Sequence, residues 1–239
     1  QLELLNPLTN IFRWQPCKKF YSIEVKTLKK FLLIWLFFLV SNASAAPLII
    51  DKPIKWTENR ERLIREYALA HYGFSDIEII PRAVVVHWTA VGTFESTYKY
   101  FYDEEFTSGI DAGTLNVASH FLIDRDGTIY RLTPETALNR HAIGYNWCAI
   151  GIENVGGTNG AEDLTAAQLL SNIQLIKYLH KKYPIKYVFG HYQQNVAKES
   201  GLYIENVPDY YAEKTDPGKI FMKLLRDYLS KEGLKFFKI

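Results

Sequence analysis

Short apolar, β-branched runs alternate along this chain with helical stretches, and one pair of runs is joined by a tight turn. That alternation constrains the fold more than any other feature. Strands interleaved with helices pack as a sheet with helices laid on it, and a hairpin among them makes the sheet mixed. The first apolar run, residues 83–88, follows Pro81 and reads as a buried strand. Residues 119–123 and 128–132 flank Asp124-Arg125-Asp126-Gly127, and Asp-Gly between two such runs is a strong hairpin signal. Residues 148–153 and 186–189 supply two more strands. Helices are predicted over 56–71, with Thr57 as N-cap and Gly73 as the stop, over 93–105, over 164–183 and over 219–229. In the third of these Thr165 and Gln168 have the spacing of a capping box, and Pro184 ends the helix. The expected fold class is α/β of the α+β type, a mixed central β-sheet flanked by helices.

Hydrophobic residues make up 48% of the chain and charged residues 23%, which excludes a disordered or low-complexity protein. The formal net charge is +2, but residues 1–45 hold six Lys or Arg against two Asp or Glu. Residues 46–239 therefore carry 22 basic and 24 acidic side chains, and no nucleic-acid partner is expected. Lys29 and Lys30 precede the unbroken apolar run 31–40, and Ser41-Asn42-Ala43-Ser44-Ala45-Ala46 follows it. A basic segment, a short apolar segment and an A-x-A site describe a signal peptide, cleaved after Ala45 or alternatively Ala46. The apolar run is too short to cross a bilayer. The expectation is export to the periplasm or medium, with no stable membrane span after cleavage. Residues 1–24 make an unusually long preamble, the first residue is Gln, and Met222 is the only methionine, so translation is expected to begin at Val25. Residues 46–239 are expected to form one catalytic domain. Cys17 precedes the cleavage site and leaves Cys148 alone, so no internal disulfide forms and the fold relies on its core.

All six histidines follow residue 45. His71 and His180 fall near helix ends, where a polar residue is ordinarily a surface or helix-dipole feature. His87 and His191 each end an apolar strand, where sheets flanked by helices gather ligands, and imidazole is the commonest zinc ligand. Asp216, in Lys214-Thr215-Asp216-Pro217-Gly218, is either the N-cap of the last helix or a third ligand. Three protein ligands plus water make an open, catalytic type of zinc site. Glu153 alternates with Ala149 and Gly151 along its strand, so it lies on a face of small residues that would leave room for a substrate. Cys148, Ile150 and Ile152 share the opposite, apolar face, which marks Cys148 as core packing.

Six fragments in order resemble the zinc-dependent N-acetylmuramoyl-L-alanine amidases of the type-2 family, which is related to the peptidoglycan recognition proteins. They are Val84-Val85-Val86-His87-Trp88-Thr89, residues 119–130 from Ser119-His120 to Ile129-Tyr130, His141-Ala142-Ile143-Gly144, Ile150-Gly151-Ile152-Glu153, Gly190-His191 and Lys214-Thr215-Asp216-Pro217-Gly218. The resemblance implies a peptidoglycan-recognition-protein-like amidase fold, one zinc per chain and peptidoglycan or muropeptide as substrate. It implies cleavage of the amide between N-acetylmuramic acid and L-alanine. It casts His87, His191 and Asp216 as zinc ligands, Glu153 as general base, Lys214 as the group that stabilises charge on the carbonyl oxygen, and His141 as a histidine near the substrate groove.

Two departures stand out. Residues 192–213 form an insert between His191 and Asp216, bearing Tyr192, Tyr203, Tyr210 and Tyr211, and are expected to wall the groove or, alternatively, to pack as a surface loop. Some relatives place a catalytic tyrosine where this chain has Ser119, which leaves the base role to Glu153 alone and makes His120 structural. The competing expectations are a recognition module that binds muropeptide without cutting it, and a zinc peptidase acting within the stem peptide.

Overall fold

The computed structural model describes residues 46–106 and 113–238, so the expectations placed on residues 1–45 lie outside the described residues. Among the described residues seven strands form one mixed sheet: β1 (Ile49–Asp51), β2 (Ala83–Val86), β3 (Phe121–Ile123), β4 (Ile129–Arg131), β5 (Ala149–Asn154), β6 (Tyr187–Gly190) and β7 (Lys235–Phe236). Their order across the sheet is β1-β4-β3-β5-β2-β6-β7. β2 pairs in parallel with both β5 and β6, and the one antiparallel pair is the β3–β4 hairpin. Gly127 closes that hairpin at φ 90°, a left-handed conformation that glycine adopts without steric cost.

Side chains alternate across β2, and the strand is buried on both faces. Val84 and Val86 join Ile150, Ile152 and Val188 beneath two helices, α3 (Ala166–Lys182) and α4 (Lys219–Leu229). These helices contribute Leu175, Ile176, Leu179, Phe221, Met222, Leu225 and Leu229. Each such side chain stabilises the fold by roughly 1.5–3 kcal/mol on full burial. Ala83 and Val85 point the other way, into a cluster of Tyr145, Cys148, Phe189, Ala197 and Leu202 supplied largely by loops. Helix α1 (Glu58–Tyr72) packs Leu63, Ile64, Tyr67 and Ala68 against Leu115 and Leu138. The short α2 (Phe94–Tyr102) lies over a fourth cluster containing Leu122 and Leu132.

Thr57 and Thr165 cap their helices as predicted, and Thr93, for which the sequence reading named only a helix start, caps α2 in the same way. Thr57, Thr93 and Thr165 each accept a backbone N–H of the first turn, and Gln168 closes the capping box at Thr165. Helix α1 ends at Gly73 in the left-handed region. Strands β1 and β7, each two or three residues long, were not legible in the sequence. β1 is tied by Arg131, which donates from Nε and Nη2 to the two carboxylate oxygens of Asp51 at 2.6 and 3.0 Å.

Two sequence expectations are corrected. His71 is not a surface residue: it is 1% exposed, and its Nδ1 lies 2.7 Å from Glu205 Oε1 in the loop after β6. That loop covers the last turn of α1, and no local pattern announces a cover so distant in sequence. Cys148 is buried as expected, but it precedes β5 and packs with Ala83 and Val85 on the face opposite Ile150 and Ile152. Burial pushes its thiol up to about 12, consistent with a packing role. Among the described residues no helix is long and apolar enough to cross a membrane.

Candidate active site

The C-terminal ends of β2, β5 and β6 open into one cleft of about 670 Å³ lined by His87, His141, Glu153, His191, Lys214 and Asp216. The parallel pairing of β2 with both neighbours brings His87 and His191 to the same edge, although 104 residues separate them. Their Nδ1 atoms are 3.0 Å apart, and Asp216 Oδ2 lies 3.0 Å from His87 Nδ1 and 3.2 Å from His191 Nδ1. All three residues are buried. Asp216 is not the N-cap of α4. Glu162 takes that task from another loop, accepting from the backbone N–H groups of Lys219 and Ile220 at 3.1 and 2.8 Å. The Asp216 carboxylate is thereby left to the histidines.

The electrostatics suit a cation. Burial opposes ionisation of Asp216, but the His191 and His87 imidazoles beside it outweigh that and hold the carboxyl well below its ordinary 3.8. Burial, with His87 adding, pushes His191 down to about 4. The cluster thus offers an anionic carboxylate and an uncharged imidazole, the protonation states a metal requires of its ligands. Ligand atoms this close, all bearing lone pairs, fit a divalent ion such as zinc, and among the described residues His87, His191 and Asp216 form the group able to hold one.

Glu153 lies beside this cluster. Its Oε2 is sealed from solvent with no hydrogen-bond partner among the described residues. Burial, reinforced by the charge of Asp216, pushes its carboxyl up to about 7 against the pull of His87 and Lys214. A carboxylate poised near neutral pH and aimed into a cleft can take and return a proton. Lys214 is exposed on the cleft wall.

The small-residue face of β5 is not open space. A Cβ on Gly151 would lie 2.8 Å from the His141 ring, so glycine is what lets that imidazole sit on the strand. His141 Nε2 lies 3.0 Å from the Ala149 carbonyl, and its Nδ1 lies 3.2 Å from His87 Nε2. Burial and the neighbouring imidazoles hold its pKa well below 6.5. His120 stays outside the cluster: its Nε2 donates to Ala137 O and its Nδ1 accepts from Gly151 N–H.

The insert is mostly packed loop. Ala197 and Leu202 are buried, Gln194 O accepts from Tyr145 Oη at 2.7 Å, and Leu202 O accepts from Trp147 Nε1 at 2.9 Å. Of residues 192–213, Glu213 lines the cleft and the tyrosines do not. Tyr210 acts at one remove, its hydroxyl accepting from Nη2 of the cleft residue Arg140 at 3.2 Å.

The sequence reading missed the support behind His87. Asn154 Nδ2 donates to His87 O at 3.0 Å, and Asn172 Nδ2 donates to Asn154 Oδ1 at 2.7 Å. The available signal was a pair of amides, Gln168 and Asn172, in the stripe of α3 that buries Leu175, Ile176 and Leu179. Trp88, Val91, Ser96 and Tyr100, which also line the cleft, were not singled out as site residues.

Comparison with known proteins places these residues in context. The endolysin of Escherichia phage T7 is 36% identical over 87 residues, covering 35% of this chain and 58% of the phage protein. The endolysin of Enterobacteria phage T3 is 39% identical over 77 residues, covering 30% and 51%. The chain thus spans little more than half the length of these curated relatives. Among solved structures, an N-acetylmuramoyl-L-alanine amidase endolysin, LysCS from Clostridium intestinale URNW, is 25% identical with a TM-score of 0.49, covering 80% of this chain and 99% of that one. The family Amidase_2, described as N-acetylmuramoyl-L-alanine amidase, matches residues 78–219, which holds every residue of the cleft cluster and more than half of the chain. The chain therefore belongs to the N-acetylmuramoyl-L-alanine amidase family.

Proposed function

We propose that this protein hydrolyses the amide between N-acetylmuramic acid and L-alanine in peptidoglycan or muropeptides, using one zinc ion held by His87, His191 and Asp216. The observation that carries this reading is the convergence of those three side chains beside a carboxylate near neutral pKa, within the family match. When bound, zinc supplies Lewis acidity, which polarises a carbonyl and makes water acidic near neutral pH. The other steps fall to the chain. Glu153 takes a proton from the water as its oxygen bonds to the lactyl carbonyl carbon. Lys214 faces the charge that grows on the carbonyl oxygen. Glu153 then passes the proton to the alanine nitrogen as the C–N bond breaks. The products are a muramic acid carboxylate and a peptide with a free L-alanine amino terminus. No covalent intermediate is needed.

The signal-like pattern in residues 26–46 supports action outside the cytoplasm, where peptidoglycan lies. The test incubates the protein with defined muropeptides, with and without a chelator, and reads products by mass spectrometry. Release of peptide beginning with L-alanine, lost with chelator and restored by zinc, is the expected result. Intact muropeptide after long incubation with zinc overturns the hydrolytic reading, and fragments that keep L-alanine joined to muramic acid overturn the choice of bond.

A further inference from the structure

We propose that His141 is a positioning residue for the metal centre: it accepts a hydrogen bond from His87 and so holds His87 in the tautomer whose bare Nδ1 faces His191 and Asp216. The inference starts from a group with no choice of role. The Ala149 carbonyl can only accept, and it lies 3.0 Å from His141 Nε2, so that nitrogen carries the hydrogen. A neutral imidazole with its hydrogen there presents a lone pair at Nδ1. His87 Nε2 lies 3.2 Å from that lone pair and donates to it. His87 then has one lone pair left, at Nδ1, 3.0 Å from both His191 Nδ1 and Asp216 Oδ2. A main-chain carbonyl of β5 thus sets the ligand atom of a histidine at the end of β2, through one intervening ring.

The ring is built to stay where it is. Gly151 clears the space it occupies. The His141 backbone N–H donates to Asn146 Oδ1 at 2.9 Å, and Asn146 Nδ2 donates to the Tyr67 hydroxyl of α1 at 3.0 Å. His120 packs edge-on against the His141 ring, with centroids 5.7 Å apart. Both ring nitrogens are engaged by the protein, so the groove position of His141 does not make it a substrate ligand. His191 has no equivalent support: its Nε2 is buried without a hydrogen-bond partner among the described residues. Partners that orient a ligand imidazole commonly change metal affinity about 10- to 100-fold when removed, and here that contribution is concentrated on His87.

The inference rests on reading the cluster as a metal site, and the test separates the two. His141→Phe keeps an aromatic ring over Gly151 and removes the acceptor. His141→Gln keeps an amide oxygen to accept from His87 and an amide nitrogen to donate to Ala149 O. Zinc affinity is measured by competition with a chromophoric chelator, and the His87 tautomer by long-range proton–nitrogen NMR on metal-free, 15N-histidine-labelled protein. Metal-free wild type is expected to carry the His87 hydrogen on Nε2. His141→Phe is expected to bind zinc about 10- to 100-fold more weakly, and His141→Gln to recover most of that loss. Wild-type affinity in a folded His141→Phe, or a wild-type His87 hydrogen on Nδ1, overturns the inference. Should His141→Phe fail to fold, the wild-type tautomer decides alone. A wild type that binds no zinc defeats the functional proposal instead, while the metal-free tautomer still tests this one. A KM increase at unchanged zinc affinity would assign His141 to the substrate and overturn the positioning role.

Discussion

Replacing Glu153 with Gln in chelator-treated protein should change stability in a pH-dependent way. In the folded chain burial moves this carboxyl from 4.5 up to about 7, whereas the unfolded chain leaves it near 4.5. The folded state therefore binds this proton more tightly. The favourable contribution is fully present below about pH 4.5, and it is lost as pH rises through about 7. At about 1.36 kcal/mol per pH unit, the interval between those values corresponds to a cost of about 3 kcal/mol in the ionised wild type at pH 8. The glutamine side chain is neutral at every pH and nearly the same size, so it does not incur that cost. Urea unfolding followed by circular dichroism at pH 5, 6, 7 and 8, in EDTA, gives the difference between variant and wild type. Glu153→Gln should gain about 2–3 kcal/mol on wild type across that range, most of it between pH 5 and 7. Because other titrating groups are shared by both proteins, they largely cancel in the difference. A difference that stays flat with pH would refute the burial argument, and with it the physical basis for Glu153 as a proton carrier near neutral pH.

With zinc supplied, the same Glu153→Gln change should lower kcat on muropeptides by about 100-fold or more while leaving zinc stoichiometry, read by atomic emission, unchanged. His87→Ala should abolish tight zinc binding measured the same way. Asn172→Leu strands Asn154 Oδ1 in the core and should cost about 1–3 kcal/mol in urea unfolding. Gly151→Ala drives a methyl group into the His141 ring and should cost about 1–3 kcal/mol by thermal melting.

Local hydrogen bonding explains why so much was legible. A threonine cap, a capping box, a glycine stop or an Asp-Gly turn is satisfied within four or five residues, so Thr57, Thr93, Thr165, Gln168 and Gly127 declare their elements without tertiary help. The site residues were legible for a different reason: His87, Glu153 and His191 lie at strand ends, and all six candidates match family fragments. Strand alternation misled at Cys148, because it describes residues inside a strand and Cys148 stands before one. It also implied room above Gly151, which another segment fills with an imidazole.

By itself the sequence determined the helices, the hairpin, the buried central strands and the identity of His87, His141, Glu153, His191, Lys214 and Asp216, which gather in the cleft. The tertiary structure decided their relationships. It placed β2 between β5 and β6, which set His87 beside His191. It gave the α4 cap to Glu162 and left Asp216 for the histidines. It buried His71 against Glu205, and it assigned both nitrogens of His141. Each of these pairings joins segments apart in the chain, and their partners are fixed by sheet order and loop packing, for which sequence spacing carries no code.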